Sequence, residues 1–408
     1  MRILILSQWY PPEPMKFLSE MSETLKAKGH DVVVLTGFPN WPEGKVYPDY
    51  KIKLWQKETI GGVPIVRIPL YPDHSQSKIP RILNYLSFII SSSLLGFFLI
   101  RRPDVIHAIQ PPTTCFPAWL LSRLWRIPFT YEVQDMWPET LQATGMMNNN
   151  KVLAVVSKYC DWVYRKAAAL RVISPGFRRN LITKGVNGEK IHVISNWVDT
   201  DYYSPRPPDM TLSEKFGFKG RFNILYAGTI GLAQGIETVL AAAKLVEDIE
   251  QIQFVLAGGG LALADLKEYT ATHNVKNVKF LGRQPMELMP DIYALADILL
   301  VNLKDDPLFR ITIPHKTLTY LSAGKPILAA VEGDVADVVN ENDAGLTCYP
   351  GNPESIADNV RKLFNMSSND RKRLGENGRA AALSRYAKDK LVKDISEMLK
   401  SVTGSIVH

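Results

Sequence analysis

The first 36 residues, MRILILSQWYPPEPMKFLSEMSETLKAKGHDVVVLT (Met1–Thr36), decide the fold class. An apolar run at Ile3–Leu6 is followed by a loop, by a helical pattern over Phe17–Lys28 and by a second apolar run at Asp31–Thr36. Short apolar runs that alternate with helical patterns are typical of parallel strands joined by crossover helices. The opening therefore predicts a doubly wound α/β sheet.

Further apolar runs of strand length fall into two groups. The first group continues the opening and comprises Val63–Ile68, Val105–Ile109, Phe129–Val133, Leu170–Ile173 and Ile191–Ile194. The second group comprises Asn223–Tyr226, Gln253–Leu256, Val278–Leu281, Ile298–Val301, Ile327–Val331 and Leu346–Cys348. Between them lies NWVDTDYYSPRPP (Asn196–Pro208), whose prolines and turn-forming residues are typical of an interdomain linker. We predict an N-terminal domain over residues 1–198, a linker over 199–208, a C-terminal domain over 209–385 and a C-terminal helix within 386–408.

The composition is that of a globular protein, with 408 residues of which 46% are hydrophobic and 22% are charged. The net charge of +7 permits an anionic partner, but Lys and Arg are scattered, so we expect no nucleic acid. Cys115, Cys160 and Cys348 are far apart and lack a metal-binding spacing, which favours a reducing compartment. The N-terminal apolar run is short and ends at two prolines, so we expect a strand, not a signal peptide, and a cytoplasmic protein.

One segment, ILNYLSFIISSSLLGFFLI (Ile82–Ile100), is apolar and long enough to span a membrane. Spanning would separate the opening strands from Val105–Ile109 and destroy the sheet, so we expect a helix that packs on the sheet. Basic residues bracket the segment, namely Lys78 and Arg81 before it and Arg101 and Arg102 after it. The sequence leaves two alternatives open, a core helix and a helix seated on an anionic lipid surface.

The C-terminal domain carries three candidate anion-binding segments. The stretch FRITIPHKTLTYLSAGKPILAA (Phe309–Ala330) places Lys316 at a predicted helix N-terminus, where backbone N–H groups favour a phosphate. Two glycine loops, Tyr226–Glu237 and Ala257–Gly260, follow predicted strands and let a ligand approach the backbone. The alternatives are an ordinary loop–helix–strand connection and simple tight turns.

In the N-terminal domain, polar residues follow a predicted strand within YEVQDMWPE (Tyr131–Glu139). The carboxyl ends of parallel strands face the ligand crevice of an open sheet, so these carboxylates are candidates to orient a hydroxyl or to act as a general base. The candidates are Glu132, Asp135 and Glu139, with Gln134 and His107 beside them. The alternatives are surface solvation or helix capping for the carboxylates and a core position for His107.

Taken together, these pieces resemble the nucleotide-sugar glycosyltransferases of the GT-B fold, in the large retaining family that includes many bacterial polysaccharide enzymes. The similar segments are KGHDVVVLT, PDVIHAIQPP, FTYEVQDMWPE, VISNWVDTDYYSP, YAGTIGLAQGIETVLAAAK, FVLAGGG, VKFLGRQP, PHKTLTYLSAGKPILA and AGLTCYPGNPESIADNV. The resemblance covers nearly the whole chain. It is strongest to O-antigen and capsule enzymes, including N-acetyl-L-fucosamine transferases.

The resemblance implies two Rossmann-like domains whose parallel sheets face each other across a central cleft, and a C-terminal helix that returns to the N-terminal domain. It implies a UDP-sugar donor, such as UDP-N-acetyl-L-fucosamine, on the C-terminal domain. It also implies a polyprenyl-diphosphate-linked saccharide acceptor on the N-terminal domain, at the inner face of the cytoplasmic membrane. Retaining transfer without a metal or other cofactor is expected, because helix ends and basic side chains take the leaving-group charge.

The chain departs from the family pattern around the donor phosphates. Thr229 and Gln234 stand where the family has Arg and Lys, and Thr319 stands where it has a ribose-binding Glu. We therefore assign charge compensation to Arg310 and Lys316, and assign catalysis to these two cations with Glu132 and Asp135. The expected donor set is Gly228, Thr229, Gly231, Gln234, Gly235, Gly258, Gly259, Arg283, Arg310, Lys316 and Thr319. A non-catalytic nucleotide-sugar-binding assembly protein and a nucleotide-sugar epimerase are the alternatives.

Overall fold

The computed structural model describes residues 1–73 and 78–404, and the side chain of Lys78 lies outside this description. Two separate sheets, one of eight strands and one of six, form the centres of two α/β domains. Most of their strands are buried along their length, which explains the near-continuous apolar runs in the sequence. The structure confirms the predicted fold class of two Rossmann-like domains.

The N-terminal sheet has the strand order β3-β4-β2-β1-β5-β6-β7-β8. Its strands are β1 (Arg2–Leu6), β2 (Asp31–Gly37), β3 (Gln56–Ile60), β4 (Val63–Ile68), β5 (Val105–Ile109), β6 (Phe129–Val133), β7 (Ala169–Val172) and β8 (Ile191–Val193). Only the β3–β4 pair is antiparallel among the described pairings of this sheet. The prediction missed β3, because this edge strand alternates exposed and half-buried residues and has no apolar run.

Within the described ranges, six α-helices flank this sheet and a seventh crosses from the far end of the chain. They are α1 (Lys16–Ala27), α2 (Lys78–Leu99), α3 (Cys115–Trp125), α4 (Glu139–Ala143), α5 (Asn150–Lys166) and α6 (Pro175–Thr183). One core layer joins α2, α3, α5 and α6 to the sheet. The opposite layer joins α1 and the C-terminal helix to it.

The C-terminal sheet has the order β11-β10-β9-β12-β13-β14, and its described strand pairs are all parallel. Its strands are β9 (Phe222–Thr229), β10 (Ile252–Gly259), β11 (Val278–Gly282), β12 (Ile298–Asn302), β13 (Ile327–Ala330) and β14 (Gly345–Cys348). The helices that follow the linker are α7 (Met210–Phe216), α8 (Ile236–Leu245), α9 (Leu263–Thr272), α10 (Met289–Leu295), α11 (Pro307–Arg310), α12 (His315–Ala323), α13 (Asp334–Glu341), α14 (Pro353–Asn365), α15 (Ser368–Arg385) and α16 (Lys388–Gly404).

Helix α16 leaves the C-terminal domain and packs on the N-terminal one. Its apolar side chains, among them Val392 and Ile395, are fully buried in the same core layer as Ile3 of β1. A hydrogen bond of 2.8 Å joins the His30 Nε2 atom to the Ser396 hydroxyl. The chain therefore connects the two domains twice, through the linker and through the entry to α16.

The two domains also touch where α6 and α13 begin. The Asp334 carboxylate accepts a hydrogen bond of 2.6 Å from the Gly176 N–H, and the Ser174 hydroxyl donates one of 2.5 Å to the Ile311 carbonyl. A Cβ atom on Gly176 would lie 2.5 Å from the Ile311 Cβ, so the contact has no room for a larger residue. The carboxyl ends of β7 and β13 therefore face each other across the interdomain cleft.

Helix α2 is packed on the sheet along only one side. Asn84, Phe88 and Ser92 are fully buried on that side, and the Asn84 Oδ1 atom accepts a hydrogen bond of 2.6 Å from Gln8. The opposite side exposes large apolar residues, namely Ile79, Ile82, Leu83, Leu86, Ile90, Leu94, Phe97 and Phe98. Only 22% of the most apolar 18-residue stretch of α2 is buried, whereas a plain core helix is mostly buried.

Candidate active site

A cavity of about 580 Å³ opens at the carboxyl ends of β9 and β10 in the C-terminal domain. Its volume falls within the usual range of small-molecule sites. From the predicted donor set, the residues that line it are Gly228, Thr229, Gly258, Gly259, Arg283, Lys316 and Thr319. The structure therefore brings together predicted donor residues from four separate stretches of the sequence.

The floor of the cavity is built from two glycines on neighbouring strands. Gly228 and Gly258 are register partners in the β9–β10 pair and have φ angles of 136° and 152°. A Cβ atom on Gly258 would lie 1.8 Å from the Gly228 carbonyl oxygen. Only glycine fits at this position, and its lack of a side chain leaves the backbone open to a ligand.

The ammonium group of Lys316 lies in the wall of the cavity. Lys316 is the second residue of α12, and its Nζ atom is 3.7 Å from the centre of the Tyr226 ring. This Nζ atom is buried and has no hydrogen-bond partner among the residues that the structure describes. Burial lowers the pKa of Lys316 to about 7. A desolvated cation without a counter-ion, at the start of a helix, is suited to bind an anion that the cavity admits.

Arg283 provides a second cation at the same cavity. It follows β11 and is exposed to solvent, unlike the Lys316 ammonium. A Cβ atom on Gly259 would lie 2.9 Å from the Arg283 Nε atom, so the arginine side chain lies against this glycine. The planar guanidinium can make two parallel hydrogen bonds to a phosphate.

Most of the remaining lining residues are aromatic or apolar, and the sequence prediction missed them. Tyr203 comes from the linker, while Met289 and Tyr293 come from α10. The rings of Tyr203 and Tyr293 are 6.0 Å apart, centre to centre. Such surfaces accept the faces of planar rings. The linker stretch DTDYYSP contained the available signal, since paired tyrosines stand there among turn-forming residues.

Four predicted donor residues do not line this cavity, and they are Gly231, Gln234, Gly235 and Arg310. The Gln234 Oε1 atom accepts a hydrogen bond of 2.9 Å from the Gly231 N–H, so its side chain folds back on its own loop. Gly235, with a φ of 56°, serves as the turn that starts α8. These three residues shape the loop beside the cavity.

Arg310 needs a clear correction. Its half-exposed guanidinium lies 2.8 Å from an Asp305 carboxylate oxygen and 3.2 Å from a Glu332 carboxylate oxygen. Two carboxylates already neutralise this cation outside the cavity, so the structure does not support the predicted pairing of Arg310 with Lys316. Arg283 takes the second cationic position instead.

Glu132 and His107 also require correction, because both side chains are fully buried in the N-terminal sheet. The Glu132 carboxylate lies 2.5 Å from the Arg171 guanidinium and 3.2 Å from the His107 Nε2 atom. It also accepts a hydrogen bond of 2.5 Å from Gln134. Burial acts to raise the pKa of Glu132, but Arg171 and His107 outweigh it and hold the value at about 2. These residues form a structural ion-pair network and do not reach the cleft.

Asp135 has the geometry expected of a residue that meets a substrate. It follows β6, is accessible to solvent, and its carboxylate accepts a hydrogen bond of 2.7 Å from the Gln110 amide. The side-chain carbonyl oxygen of Gln110, Oε1, in turn accepts hydrogen bonds from the Gln134 and Asp135 backbone N–H groups, at 2.8 and 2.7 Å. The surrounding protein desolvates the carboxyl group and raises the pKa of Asp135 above its usual range.

Glu139 and Gln134, the other acceptor candidates, lie apart from each other. Glu139 forms an ion pair with Lys184 and lines a second cavity of about 550 Å³ with Asp306 of the other domain. Gln134 exchanges two side-chain hydrogen bonds, of 2.9 and 3.0 Å, with Asn196. The structure therefore leaves Asp135 as the predicted carboxylate that both follows a strand end and stays accessible.

Comparisons with known families agree with this architecture. Residues 15–197 match the model of the glycosyl transferase 4-like domain, and residues 210–381 match the model of glycosyl transferases group 1. The WcaI glycosyl transferase of colanic acid biosynthesis from Escherichia coli K12 is 27% identical over 339 residues, which cover 79% of this chain and 82% of the relative.

Solved structures share the fold over almost the whole chain. The HepE protein of Anabaena in complex with UDP has a TM-score of 0.74 and 17% identity, covering 98% of this chain and 100% of HepE. Sucrose-phosphate synthase from Thermosynechococcus elongatus has a TM-score of 0.77 and 15% identity, covering 99% of this chain and 100% of the synthase. The chain is a glycosyltransferase of the GT-B fold, with a glycosyl transferase 4-like N-terminal domain and a C-terminal domain of the glycosyl transferases group 1 family.

Proposed function

We propose that this glycosyltransferase transfers a sugar from a UDP-linked donor to a lipid-linked saccharide during bacterial polysaccharide synthesis, with retention and without a metal. UDP-N-acetyl-L-fucosamine is the first donor to test, and a polyprenyl-diphosphate saccharide of O-antigen or capsule synthesis is the acceptor. The relative named for colanic acid biosynthesis and the UDP complex of HepE support this direction.

The observation that carries the proposal is the buried, unpartnered ammonium of Lys316 in the cavity wall. An uncompensated buried charge is costly, so its position is explained when a ligand brings the opposite charge. The cavity also offers Arg283, a glycine floor and aromatic walls, which suit a phosphate-bearing group attached to a planar base.

In this proposal the two cations take the charge that develops on the departing diphosphate, which is the largest electrostatic demand of glycosyl transfer. Lys316 meets one phosphate as a point charge, and Arg283 binds another through two hydrogen bonds. Asp135, held by Gln110, orients the acceptor hydroxyl from the opposite side of the cleft. Protein groups thus supply the compensation that a metal would otherwise provide.

The exposed side of α2 supports a location on the inner face of the cytoplasmic membrane. Helix α3 packs beside α2 and also exposes two large apolar residues, Phe116 and Leu124. Arg101 and Arg102 are exposed directly after α2. An apolar helix face with adjacent basic residues is typical of a helix that lies in the membrane interface and attracts anionic lipid. A lipid-linked acceptor would be reached from there.

The transfer reaction is tested with purified protein, isotopically labelled UDP-sugars and a bacterial membrane lipid extract. We expect label on the lipid fraction, and a loss of about 100-fold or more in turnover for Lys316→Ala, as when one oxyanion-hole donor is removed from an active site. Arg283→Ala should also slow transfer. Arg310→Ala is the matched control, because it removes the same kind of charge outside the cavity and should retain most of the activity.

Other outcomes identify the other functions. Interconversion of the free UDP-sugar without an acceptor would indicate an epimerase. Tight UDP binding with no transfer to any lipid would indicate a binding protein. If Arg310→Ala loses as much activity as Lys316→Ala, the assignment of the phosphate-binding cations is wrong.

Membrane seating is tested by sedimentation with phosphatidylglycerol-rich vesicles at low salt. Arg101→Glu with Arg102→Glu should release the protein, because each basic residue near an anionic surface contributes about 1 kcal/mol. The control is Lys372→Glu with Arg373→Glu, an exposed pair on α15 that makes the same change in charge. Equal release of both variants would contradict a specific seat at the end of α2.

A further inference from the structure

A row of partly exposed aromatic side chains borders the cleft on the N-terminal domain. Trp9 follows β1, Trp41 follows β2, Tyr85 belongs to α2 and Trp137 follows β6. Adjacent ring centres are 6.3 Å apart for Trp41 and Trp9, 6.4 Å for Trp9 and Tyr85, and 6.4 Å for Tyr85 and Trp137. These four residues, the aromatic row, come from four separate segments but form one continuous surface.

The loops that carry Trp9 and Trp41 are fixed from behind by Glu13. Its buried carboxylate accepts hydrogen bonds from the backbone N–H groups of Tyr10, Asn40 and Trp41, at 2.8, 2.9 and 2.9 Å. One side chain thus ties the loop after β1 to the loop after β2. Three hydrogen bonds to one buried carboxylate make this part of the aromatic row rigid before any ligand arrives.

Helix α2 is fixed beneath Tyr85 in a similar way. The fully buried Asn84 bonds to the Gln8 amide at 2.6 Å and to the Tyr71 carbonyl at 2.7 Å. The adjacent residue Tyr85 therefore has a set position against Trp9 and Trp137. Fixed aromatic surfaces lose little conformational entropy when they bind a ligand.

The aromatic row connects two features of the proposed function. At one end, Trp137 is two residues beyond Asp135, whose carboxylate is accessible in the cleft. The next ring, Tyr85, belongs to α2, and its neighbour in sequence is Leu86, an exposed residue of the apolar side of that helix. The donor cavity has none of these aromatic residues in its lining, so the row is a separate surface.

Resting on the proposed function, we propose that the aromatic row is the acceptor subsite and binds the sugar rings of the lipid-linked saccharide against their C–H faces. Partly exposed aromatic rings beside a few fixed polar groups are the usual composition of a small-molecule site. Asp135 and the Gln110 amide provide those polar groups at the cleft end. The saccharide, not the prenyl chain, fits there because the apolar side of α2 already offers the chain a surface.

Two synthetic probes test the subsite directly. One is undecyl diphosphate that carries N-acetylglucosamine, and the other is undecyl diphosphate without a sugar. Calorimetry should show that the sugar-bearing probe binds more tightly, and that Trp137→Ala and Tyr85→Ala each weaken its binding about 10-fold. The same variants should leave binding of the sugar-free probe and of UDP unchanged. Trp137→Phe should restore most of the affinity, since it keeps an aromatic face.

Trp55→Ala is the matched control, because Trp55 is an exposed tryptophan of the same domain outside the row. The proposal is overturned if both probes bind equally, if Trp55→Ala weakens binding as much as Trp137→Ala, or if the row variants lose UDP affinity in parallel. These binding measurements do not require turnover. A failure of the proposed function would appear separately, as absent transfer from UDP-sugars by the wild-type protein.

Discussion

Binding of UDP should be accompanied by the uptake of a proton, because the buried Lys316 amine is mostly neutral in the free protein above about pH 7. Burial lowers the pKa of Lys316 to about 7. At about pH 8, only about one tenth of the free protein then carries a charged ammonium at this position. A bound diphosphate favours the charged form and returns the pKa towards its ordinary range. Binding at that pH should therefore take up about 0.9 proton per UDP.

The same linkage fixes how the affinity depends on pH. Above the free-protein pKa of Lys316, each further pH unit lowers the ratio of protonated to neutral amine 10-fold and adds about 1.4 kcal/mol to the free energy of protonation. The affinity for UDP should therefore fall by nearly 10-fold per pH unit between about pH 7 and 10. The second ionisation of a phosphate lies near pH 6, so the phosphates of the nucleotide exchange few protons above about pH 7.

Calorimetry in buffers of different ionisation enthalpy measures the proton uptake. The control is Lys316→Met, which keeps the length of the side chain and removes the titrating group. The variant should bind UDP weakly and with no proton uptake at about pH 8. Uptake below about 0.2 proton in the wild-type protein, or equal uptake in Lys316→Met, would refute the reasoning.

Lys316 also predicts a pH dependence of stability without any ligand. The folded-state pKa of about 7 lies below the unfolded value, so the folded protein binds fewer protons between the two. The loss in unfolding free energy caused by the burial of Lys316 is fully present below about pH 7. It declines as the pH rises towards about 10.4, by up to about 1.4 kcal/mol per pH unit. The difference in unfolding free energy between the wild-type protein and Lys316→Met should follow this course.

Two substitutions test the structure around the site. Gly258→Ala should abolish UDP binding, because its Cβ would lie 1.8 Å from the Gly228 carbonyl oxygen. Gly220→Ala, which also has a positive φ but has no heavy atom within 4 Å of the added Cβ, should cost only about 1 kcal/mol and bind UDP normally. Glu132→Gln should lower the free energy of unfolding by about 3 kcal/mol in urea titrations, since it leaves the Arg171 guanidinium buried without its counter-ion. Unchanged stability with lost transfer would return Glu132 to a catalytic role.

The strands were predictable because a buried parallel strand is encoded locally. Val63–Ile68, Val105–Ile109 and Phe129–Val133 were predicted with the bounds that the structure has. The edge strand β3 was missed because it faces solvent and has no apolar run. A strand that is buried on both faces appears in the sequence as a continuous apolar run. An edge strand that alternates exposed and half-buried residues has no such run, so the sequence does not reveal it.

The donor cavity was predictable in part, for a related reason. Glycines at the carboxyl ends of parallel strands, such as Gly228 and Gly258, lie at the carboxyl edge of the sheet. Their position there does not depend on how the other elements pack. The choice between Arg283 and Arg310 was not predictable in this way. Arg283 follows β11 and Arg310 ends α11, and only tertiary packing decides which one meets the cavity and which one meets Asp305 and Glu332.

The error at Glu132 shows a signal that sequence reasoning can use. The adjacent strands β5, β6 and β7 each contain one acidic, basic or histidine residue in an otherwise uncharged run, namely His107, Glu132 and Arg171. Lone ionisable residues in neighbouring buried strands must pair with one another, because a buried charge without a partner is too costly. Asp135 differs because it lies beyond the end of β6, where the strand pattern has stopped.

The contrast between Glu132 and Lys316 explains why one buried charge indicates structure and the other indicates function. Glu132 has Arg171, His107 and Gln134 around it, so the protein itself satisfies the carboxylate and its pKa falls. The Lys316 ammonium lies over the face of Tyr226 and has no hydrogen-bond partner within residues 1–73 and 78–404, and its pKa falls because burial desolvates the charge. A fold maintains an unsatisfied cation at the edge of a cavity at a cost in stability. A ligand that carries the missing negative charge recovers that free energy as binding affinity, so the position of Lys316 marks the site where the donor phosphates are expected to bind.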